Sequence, residues 1–206
     1  MQIILASKSP RRKEILSMLG ADFKIITEET DESSDITDAH ALVRDLSLRK
    51  GRAVYQKLLR QGDDMNNCMV IAADTVVLST DGRHIYGKPH SVADAAAMLE
   101  DISGKTHSVI SGVAVLCGGI ECCGAETSYV TFSKMSKEDI DFYISSGEPF
   151  DKAGGYAVQG LASLYIERIE GDYFNIVGLP VYLLKNIIAD KFHMDIKKIF
   201  NIKEQP

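Results

Sequence analysis

Cys68-Met69-Val70-Ile71-Ala72-Ala73-Asp74-Thr75-Val76-Val77-Leu78 is a long apolar run interrupted by one carboxylate. Turn-forming residues bound it, Gly62 to Asn67 before and Asp81-Gly82 after. A run of this length between turn signals predicts a central strand covered on both faces. Asp74 is the anomaly. Burying a carboxylate costs several kcal/mol unless it is paired, hydrogen-bonded or metal-bound. It is either a working group at a strand end, where ligands collect in α/β sheets, or a capping residue for a local turn. The apolar residues on both sides favour the first reading.

Outward from this strand, helical and strand-like segments alternate, which predicts an α/β fold. Residues 2–6 read as a short buried strand. Ser9 fits an N-cap with Pro10 at the first helical position, Ile15, Leu16 and Leu19 form the apolar face, and Gly20 fits the stop. Residues 22–28 read as a strand, and Glu28 to Asp38 as an acidic surface loop. A helix over roughly 38–60 places Leu42, Leu46, Ala53 and Val54 inward. On the other side, Ser91-x-x-Asp94 resembles a capping box ahead of Ala95, Met98, Leu99 and Ile102. Residues 107–117 and 120–133 read as two strands joined at Gly118-Gly119, a hairpin. Ser136 opens a helix that ends near Gly147, residues 156–169 read as strand around Gly160, and Pro180 opens a last helix through about Ala189. Lys191 to Pro206 reads as a frayed extension. Hairpin and crossover strands together predict a mixed sheet, not a pure Rossmann sheet.

The chain of 206 residues is 45% hydrophobic and 25% charged, which suits one domain or two tightly fused lobes and excludes disordered, collagenous and membrane-spanning classes. With 23 basic and 29 acidic residues the net charge is -6, poor for polymeric nucleic acid yet compatible with a small phosphorylated ligand. Arg11, Arg12 and Lys13 follow the first apolar stretch, the reverse of secretory-leader order. Cys68, Cys117, Cys122 and Cys123 show no Cys-x-x-Cys spacing, so reduced thiols and a cytoplasmic location are expected.

Four segments carry chemistry besides Asp74. Ser7-Lys8-Ser9-Pro10-Arg11-Arg12 joins a strand to a helix. It is either a phosphate cradle, with a helix N-terminus, two hydroxyls and three cations, or an ordinary capped helix with solvated charges. Gly87-Lys88-Pro89-His90 is a loop that either aims Lys88 at a ligand or leaves it in water. Glu148 to Tyr156 surrounds Asp151-Lys152 with Pro149, Gly154 and Gly155, which lets backbone approach a ligand closely. Gln159 is either a buried hydrogen-bonding residue or a base reader. Gly171 to Pro180 either closes over a base or is a rigid loop. Acids and lysines together match metal-assisted phosphoryl hydrolysis, in which one carboxylate takes a proton from water. Neither a Gly-x-Ser-x-Gly elbow nor a Walker motif is present.

Five ordered segments resemble the Maf family of nucleoside triphosphate pyrophosphatases: Leu5 to Arg12, Ala73 to Val77, Gly87 to Pro89, Ser103 to Val109, and Glu148 to Gly160. The stretch from Gly171 to Pro180 also fits. Gly155 departs from the family, where alanine is common. The resemblance implies a two-lobed α/β fold with a mixed, twisted sheet and a central cleft, similar to the inosine-triphosphate pyrophosphatase fold. It implies hydrolysis between the α- and β-phosphates, with a divalent cation (Mg2+, Mn2+ or Co2+) required and residues 1–206 forming one such domain.

By the same resemblance Asp74 is the general base. Glu32, with Asp31 beside it, is the second acid, and Glu32 and Asp74 are the metal ligands. Lys50, Lys88 and Lys152 are the catalytic lysines, and Asp151 is the loop acid. Ser7, Ser9 and Arg12 belong to the substrate-binding set. Arg11, Thr75 and Gln159 match the type that hydrolyses dTTP and UTP, where the 7-methyl-GTP type carries Trp, Gln and Glu. The implied partners are a nucleoside triphosphate and a second copy in a homodimer, with no membrane. Two other readings stand beside it, a purine-type, inosine-triphosphate-like pyrophosphatase and a nucleotide-binding regulator of septum formation.

Overall fold

The computed structural model describes residues 1–200. In chain order the elements are β1 (Gln2–Leu5), α1 (Pro10–Met18), β2 (Phe23–Ile25), α2 (Ala39–Gln61), β3 (Cys68–Leu78), β4 (Ile85–Tyr86) and α3 (Val92–Ile102). They continue with β5 (Thr106–Cys117), β6 (Ile120–Phe132), α4 (Lys137–Ser145), β7 (Ile166–Glu170), α5 (Tyr173–Val177), α6 (Val181–Phe192) and α7 (Ile196–Ile199). The strands are hydrogen-bonded in the order β2-β1-β3-β5-β6-β7, with β4 on β3. The expected mixed α/β sheet is present. Two compact units divide the chain: Met1–Asp74, Ser111–Glu126 and the chain from Gly178 onward, then Thr75–Ile110 with Thr127–Val177. Among the described residues no helix is long and apolar enough to cross a membrane.

In the first unit, β1 runs parallel to both β2 and β3, with Ile4 opposite Val70. Strand side chains alternate between faces. Cys68, Val70 and Ala72 therefore share one face and join Ile4, Ala6, Ala114 and Leu116 against Val54 and Leu58 of α2. Asp74 has the same parity as Ala72, so it points to the α2 side.

Helix α2 starts with Asp38 Oδ1 accepting from Ala41 N at 2.7 Å and stops at Gly62, whose φ is +85°. Its buried stripe is Val43, Leu46, Ser47, Gly51, Val54 and Leu58. The expected Leu42 and Ala53 are only half-buried flanks. Small residues set the spacing. A Cβ on Gly51 would fall 2.5 Å from Leu116 Cδ1, and one on Gly112 would fall 2.2 Å from the Val43 carbonyl oxygen. The two glycines let α2 lie close on the strands.

Three expectations for this unit are corrected. Strand β2 is Phe23–Ile25 and not 22–28, because β1 offers only Ile3 to Leu5 as partners. Ser9 makes no side-chain cap; its own N–H donates to Ser7 Oγ at 3.2 Å. The tail is not frayed from Lys191. Helix α6 runs to Phe192, His193 ends it at φ +54°, and α7 leads to Phe200, which is fully buried. Burial of that phenyl ring ties the segment down. The rest of the expected extension, 201–206, lies outside the described residues.

In the second unit, Val77, Val109, Val130 and Phe132 form a core with Ala95, Leu99 and Ile102 of α3 and Ile140, Tyr143 and Ile144 of α4. Strand β4 pairs antiparallel with the end of β3, and β7 pairs antiparallel with β6. Strands β5 and β6, shared by the two units, meet at Gly118-Gly119, both at positive φ (+57° and +79°), which suits a tight hairpin turn. Ser136 and Asp139 form the capping box of α4. At α3, Ser91 Oγ caps Asp94 N, but the Asp94 carboxylate accepts from His90 N, so that box is displaced by one residue.

Of the expected strand over residues 156–169, only the part from Ile166 is strand. The chain turns at Val158-Gln159, makes a single 3-10 turn over Leu161–Leu164, and only then enters β7. The turned path is held by a contact remote in sequence: the Glu148 carboxylate accepts from Leu161 N at 3.0 Å.

Candidate functional site

The site residues of the first unit converge around α2. Lys50 Nζ donates to Asp74 Oδ1 at 2.6 Å and pairs with Glu32 Oε1 at 3.0 Å. The Asp74 side chain is 11% exposed and that of Glu32 is 59% exposed, so one acid is enclosed and the other reaches water. Helix spacing explains the reach. Lys50 stands beside Gly51, where a Cβ would already meet Leu116 Cδ1 and the helix lies close on the strands.

The loop that presents Glu32 is fastened by the residue before Lys50. Arg49 Nη1 donates to the carbonyl oxygens of Asp31 and Ser33 at 3.2 and 2.8 Å, and Ser33 N donates to Asp31 Oδ1 at 2.9 Å. The serine contacts hold the Asp31 carboxyl below its ordinary range. Asp31 thus shapes the loop. Sequence reasoning missed Arg49, whose only signal was its place next to Lys50.

The serine-arginine segment is also knitted together. Ser7 is buried, and its Oγ accepts from Ser9 N at 3.2 Å and from Arg12 Nη1 at 3.1 Å. Arg12 Nε donates to the Gly178 carbonyl at 2.7 Å. Burial pushes the Arg12 pKa down, Asp74 and Glu32 oppose that shift, and Arg11 adds to it. The guanidinium stays charged at any physiological pH. Arg12 therefore shares an electrostatic neighbourhood with both acids. Arg11 and Ser9 are half-buried.

The second unit holds the remaining set. Thr75 follows Asp74 on β3 and is half-buried. Lys152 Nζ contacts the Asp151 carboxylate and lies 3.4 Å from the Glu148 carbonyl. Gly154 N donates to the Gly87 carbonyl at 2.9 Å, so the loop of Lys152 lies against the loop of Lys88. Gly154 has φ +68°, and a Cβ there would fall 2.6 Å from Val77 Cγ2, so glycine is required for this docking. Lys88 and His90 are exposed. Gln159 is exposed in a turn and not buried in a strand, and Gly160 beside it packs on the Glu148 carboxylate.

The segment from Gly171 carries the short helix α5 and is tied down by hydrogen bonds. Asn175 is fully buried and donates from Nδ2 to the Val109 carbonyl at 3.0 Å and to Ser128 Oγ at 2.9 Å. Gly171, at φ +103°, lies against Ser128. Among the described residues no group of three or more His, Cys, Asp or Glu side chains could hold a metal ion. Two carboxylate oxygens, of Glu32 and Asp74, do face one shared cation position, filled by Lys50 Nζ. Hard oxygen donors in that number fit a Mg2+-type ion whose other ligands are waters and substrate phosphates.

A family model described as "Maf-like protein" matches residues 2–191. A "dTTP/UTP pyrophosphatase" of Thermosipho africanus (strain TCF52B) is 43% identical over 198 residues, 96% of this chain and 97% of that protein. A protein of the same name from Bacillus cereus is 40% identical over 196 residues, 95% and 97% of the two chains. "The structure of the Staphylococcus aureus Ham1 protein" resembles this one with a TM-score of 0.53 at 12% identity, over 93% of this chain and 100% of that one, a likeness of fold alone. With the ordered motifs, the Lys50-centred acids and a match spanning nearly its whole length, the chain belongs to the Maf family.

Proposed function

We propose that this chain is a nucleoside triphosphate pyrophosphatase that hydrolyses dTTP and UTP to the nucleoside monophosphate and pyrophosphate, removing unwanted nucleotides before incorporation. The observation that carries the reading is Lys50 held between Asp74 and Glu32 in a chain whose Maf relatives bear that name. Water attacks the α-phosphorus, a new P–O bond forms, and the bond from the α-phosphorus to the oxygen bridging to the β-phosphate breaks. Asp74 takes the proton from the attacking water, and pyrophosphate leaves. Lys50, Lys88 and Lys152 offset phosphate charge, with Asp151 orienting Lys152. Arg12, Ser7 and Ser9 bind at the start of α1, where unpaired amides favour anions. A divalent cation (Mg2+, Mn2+ or Co2+) held by Glu32 and Asp74 supplies charge neutralisation at the phosphates when bound. Arg11, Thr75 and Gln159 set the preference for pyrimidines. A cytoplasmic homodimer is part of the proposal, on the family resemblance.

The test is a nucleotide panel of dTTP, UTP, ITP and 7-methyl-GTP, with pyrophosphate and orthophosphate measured separately, with and without chelator. Release of pyrophosphate and dTMP from dTTP, stopped by chelation, is expected. Orthophosphate with dTDP overturns the bond assignment, and faster turnover of ITP moves the chain to the purine type. Tight dTTP binding without hydrolysis would leave a nucleotide-binding regulator.

A further inference from the structure

Glu148 lies outside the acid and lysine set, yet both of its carboxylate oxygens are engaged within the second unit. Oε1 accepts from Tyr143 Oη at 2.8 Å and Oε2 accepts from Leu161 N at 3.0 Å. Tyr143 is fully buried in the core, and its Oη also accepts from Ala157 N at 3.2 Å. Burial and the neighbouring carboxylate push the Tyr143 phenol pKa up, so it remains a donor throughout the working range. The Glu148 backbone carbonyl lies 3.4 Å from Lys152 Nζ. Gly160 presses on the same carboxylate: a Cβ there would fall 2.2 Å from Oε1 and 2.4 Å from Oε2. One half-buried acid therefore fastens the turn of Asp151 and Lys152 to the turn of Gln159, and an α4 tyrosine rooted in the core holds that acid.

We propose that Glu148 is a positioning residue for nucleobase selectivity, fixing the Gln159 turn against the Lys152 turn through its two carboxylate oxygens. This rests on the reading of Gln159 as the base reader. Each carboxylate oxygen is already engaged by a protein donor, so the role assigned to Glu148 is positioning and not contact with the nucleotide. Glu148 acts by removing the freedom of the 158–161 turn before the base arrives, and preorganisation of that kind raises discrimination more than it raises general affinity.

The experiment measures kcat/KM for dTTP and dGTP on the full chain and on Glu148→Ala, Glu148→Gln, Tyr143→Phe, Gln159→Ala and the Glu148→Ala/Gln159→Ala pair. Amide exchange over 158–161 and thermal melting are followed on each. Glu148→Ala is expected to lower the dTTP/dGTP ratio roughly tenfold, the order of one lost charged hydrogen bond, and to speed exchange at Leu161. Gln159→Ala should lower the ratio without speeding that exchange. The double variant should fall no further than Gln159→Ala, since coupled residues are not additive. Glu148→Gln should restore part of the ratio, because its carbonyl still accepts from Leu161 N while its NH₂ takes the place of the acceptor that the Tyr143 hydroxyl used. Tyr143→Phe keeps the carboxylate and should give a smaller loss of the same kind, which tests the idea if Glu148→Ala melts early.

An unchanged ratio in Glu148→Ala and Tyr143→Phe, beside a lowered one in Gln159→Ala, leaves the base reading standing and overturns the positioning role. An unchanged ratio in Gln159→Ala removes the base reading itself, and the positioning role with it.

Discussion

Lys50 Nζ stands 2.6 Å from Asp74 Oδ1, on a strand residue that shares its face with Ala72 and the α2 cluster. Alternation along β3 aims the carboxylate at α2, and the small Gly51 brings the helix near enough for the next side chain to reach it. The pair is thus a product of packing, and it supplies the first two predictions.

Asp74→Asn keeps the size and polarity of the side chain and removes its proton acceptor. The kcat for dTTP should fall by about 10²–10⁴-fold while nucleotide binding and the melting temperature stay near those of the parent. Near-normal turnover would remove Asp74 from the chemistry, and a collapsed melting transition would make it a structural residue.

Lys50→Met leaves an enclosed carboxylate, 11% exposed, without the cation that hydrogen-bonds to it, though Arg12 remains in its neighbourhood. Losing one partner of a buried pair costs about 3–5 kcal/mol, more than the intact pair contributes, because the remaining charge stays desolvated. Adding Asp74→Asn removes that charge, so the double variant should regain more than half of the lost stability and none of the activity. Chemical denaturation of the three variants checks this. A double variant as unstable as Lys50→Met would mean that the lysine stem, and not the charge, is what matters.

Gly112→Ala tests the spacing behind the pair. Its Cβ would fall 2.2 Å from the Val43 carbonyl, an atom of helix backbone that cannot turn aside. Overpacking of this kind costs about 1–3 kcal/mol, and the displaced α2 should also lower activity through Lys50. An alanine variant with parent-like melting and turnover would show that α2 tolerates a shift.

His107 gives a pH dependence of stability. It is buried at 2% exposure, its Nε2 shares a 2.7 Å hydrogen bond with Tyr156 Oη, and its Nδ1 has no partner among the described residues. The Phe132 and Tyr156 rings enclose it. Burial lowers its pKa to about 4 from the ordinary 6.5, with only Asp101 pulling the other way. Between those two pH values the unfolded chain binds a proton that the native chain does not, so stability rises with pH there. The contribution is whole above 6.5 and is lost as pH falls towards 4, about 3 kcal/mol in all. Denaturation midpoints from pH 7.5 to 4 should fall less steeply for His107→Gln than for the parent. Parallel slopes would show that His107 is not the group that titrates.

Much of this was legible in sequence. The bounds of β3 were, since burial on both faces leaves an apolar run that ends where turn residues begin. So was Asp74, a lone carboxylate inside that run. Its partner Lys50 could not be read from spacing, because the approach of α2 is set by Gly51 and Gly112 meeting Leu116 and Val43, contacts remote in sequence. The family resemblance named Lys50; packing explains it. The sequence reads Gln159 as part of a strand around Gly160, while the structure has a turn there, with Leu161 N donating to the Glu148 carboxylate, a contact remote in sequence. The buried Phe200 is harder to read, since Ile196, Ile199 and Phe200 stand at helical spacing but α7 is only four residues long, too short for its periodicity to stand out.

The exposed turn of Gln159 makes the base-reading role directly testable. A uracil or thymine edge presents acceptor, donor, acceptor: O2, N3–H and O4. A glutamine carbonyl can take N3–H while its NH₂ gives to a carbonyl. Glutamate has the same shape, but once ionised it only accepts. Gln159→Glu would set a carboxylate oxygen against a base carbonyl and leave that pair mismatched, about 1–3 kcal/mol or roughly 5- to 150-fold in relative kcat/KM. The same glutamate can accept from guanine N1–H and N2–H₂, so preference should drift from dTTP and UTP towards 7-methyl-GTP. Thr75 and Arg11 are unchanged and should keep the switch incomplete. The measurement is kcat/KM for the three nucleotides on parent and variant. A ratio that does not move would make Gln159 a solvent-facing turn residue and leave pyrimidine preference to Arg11 and Thr75.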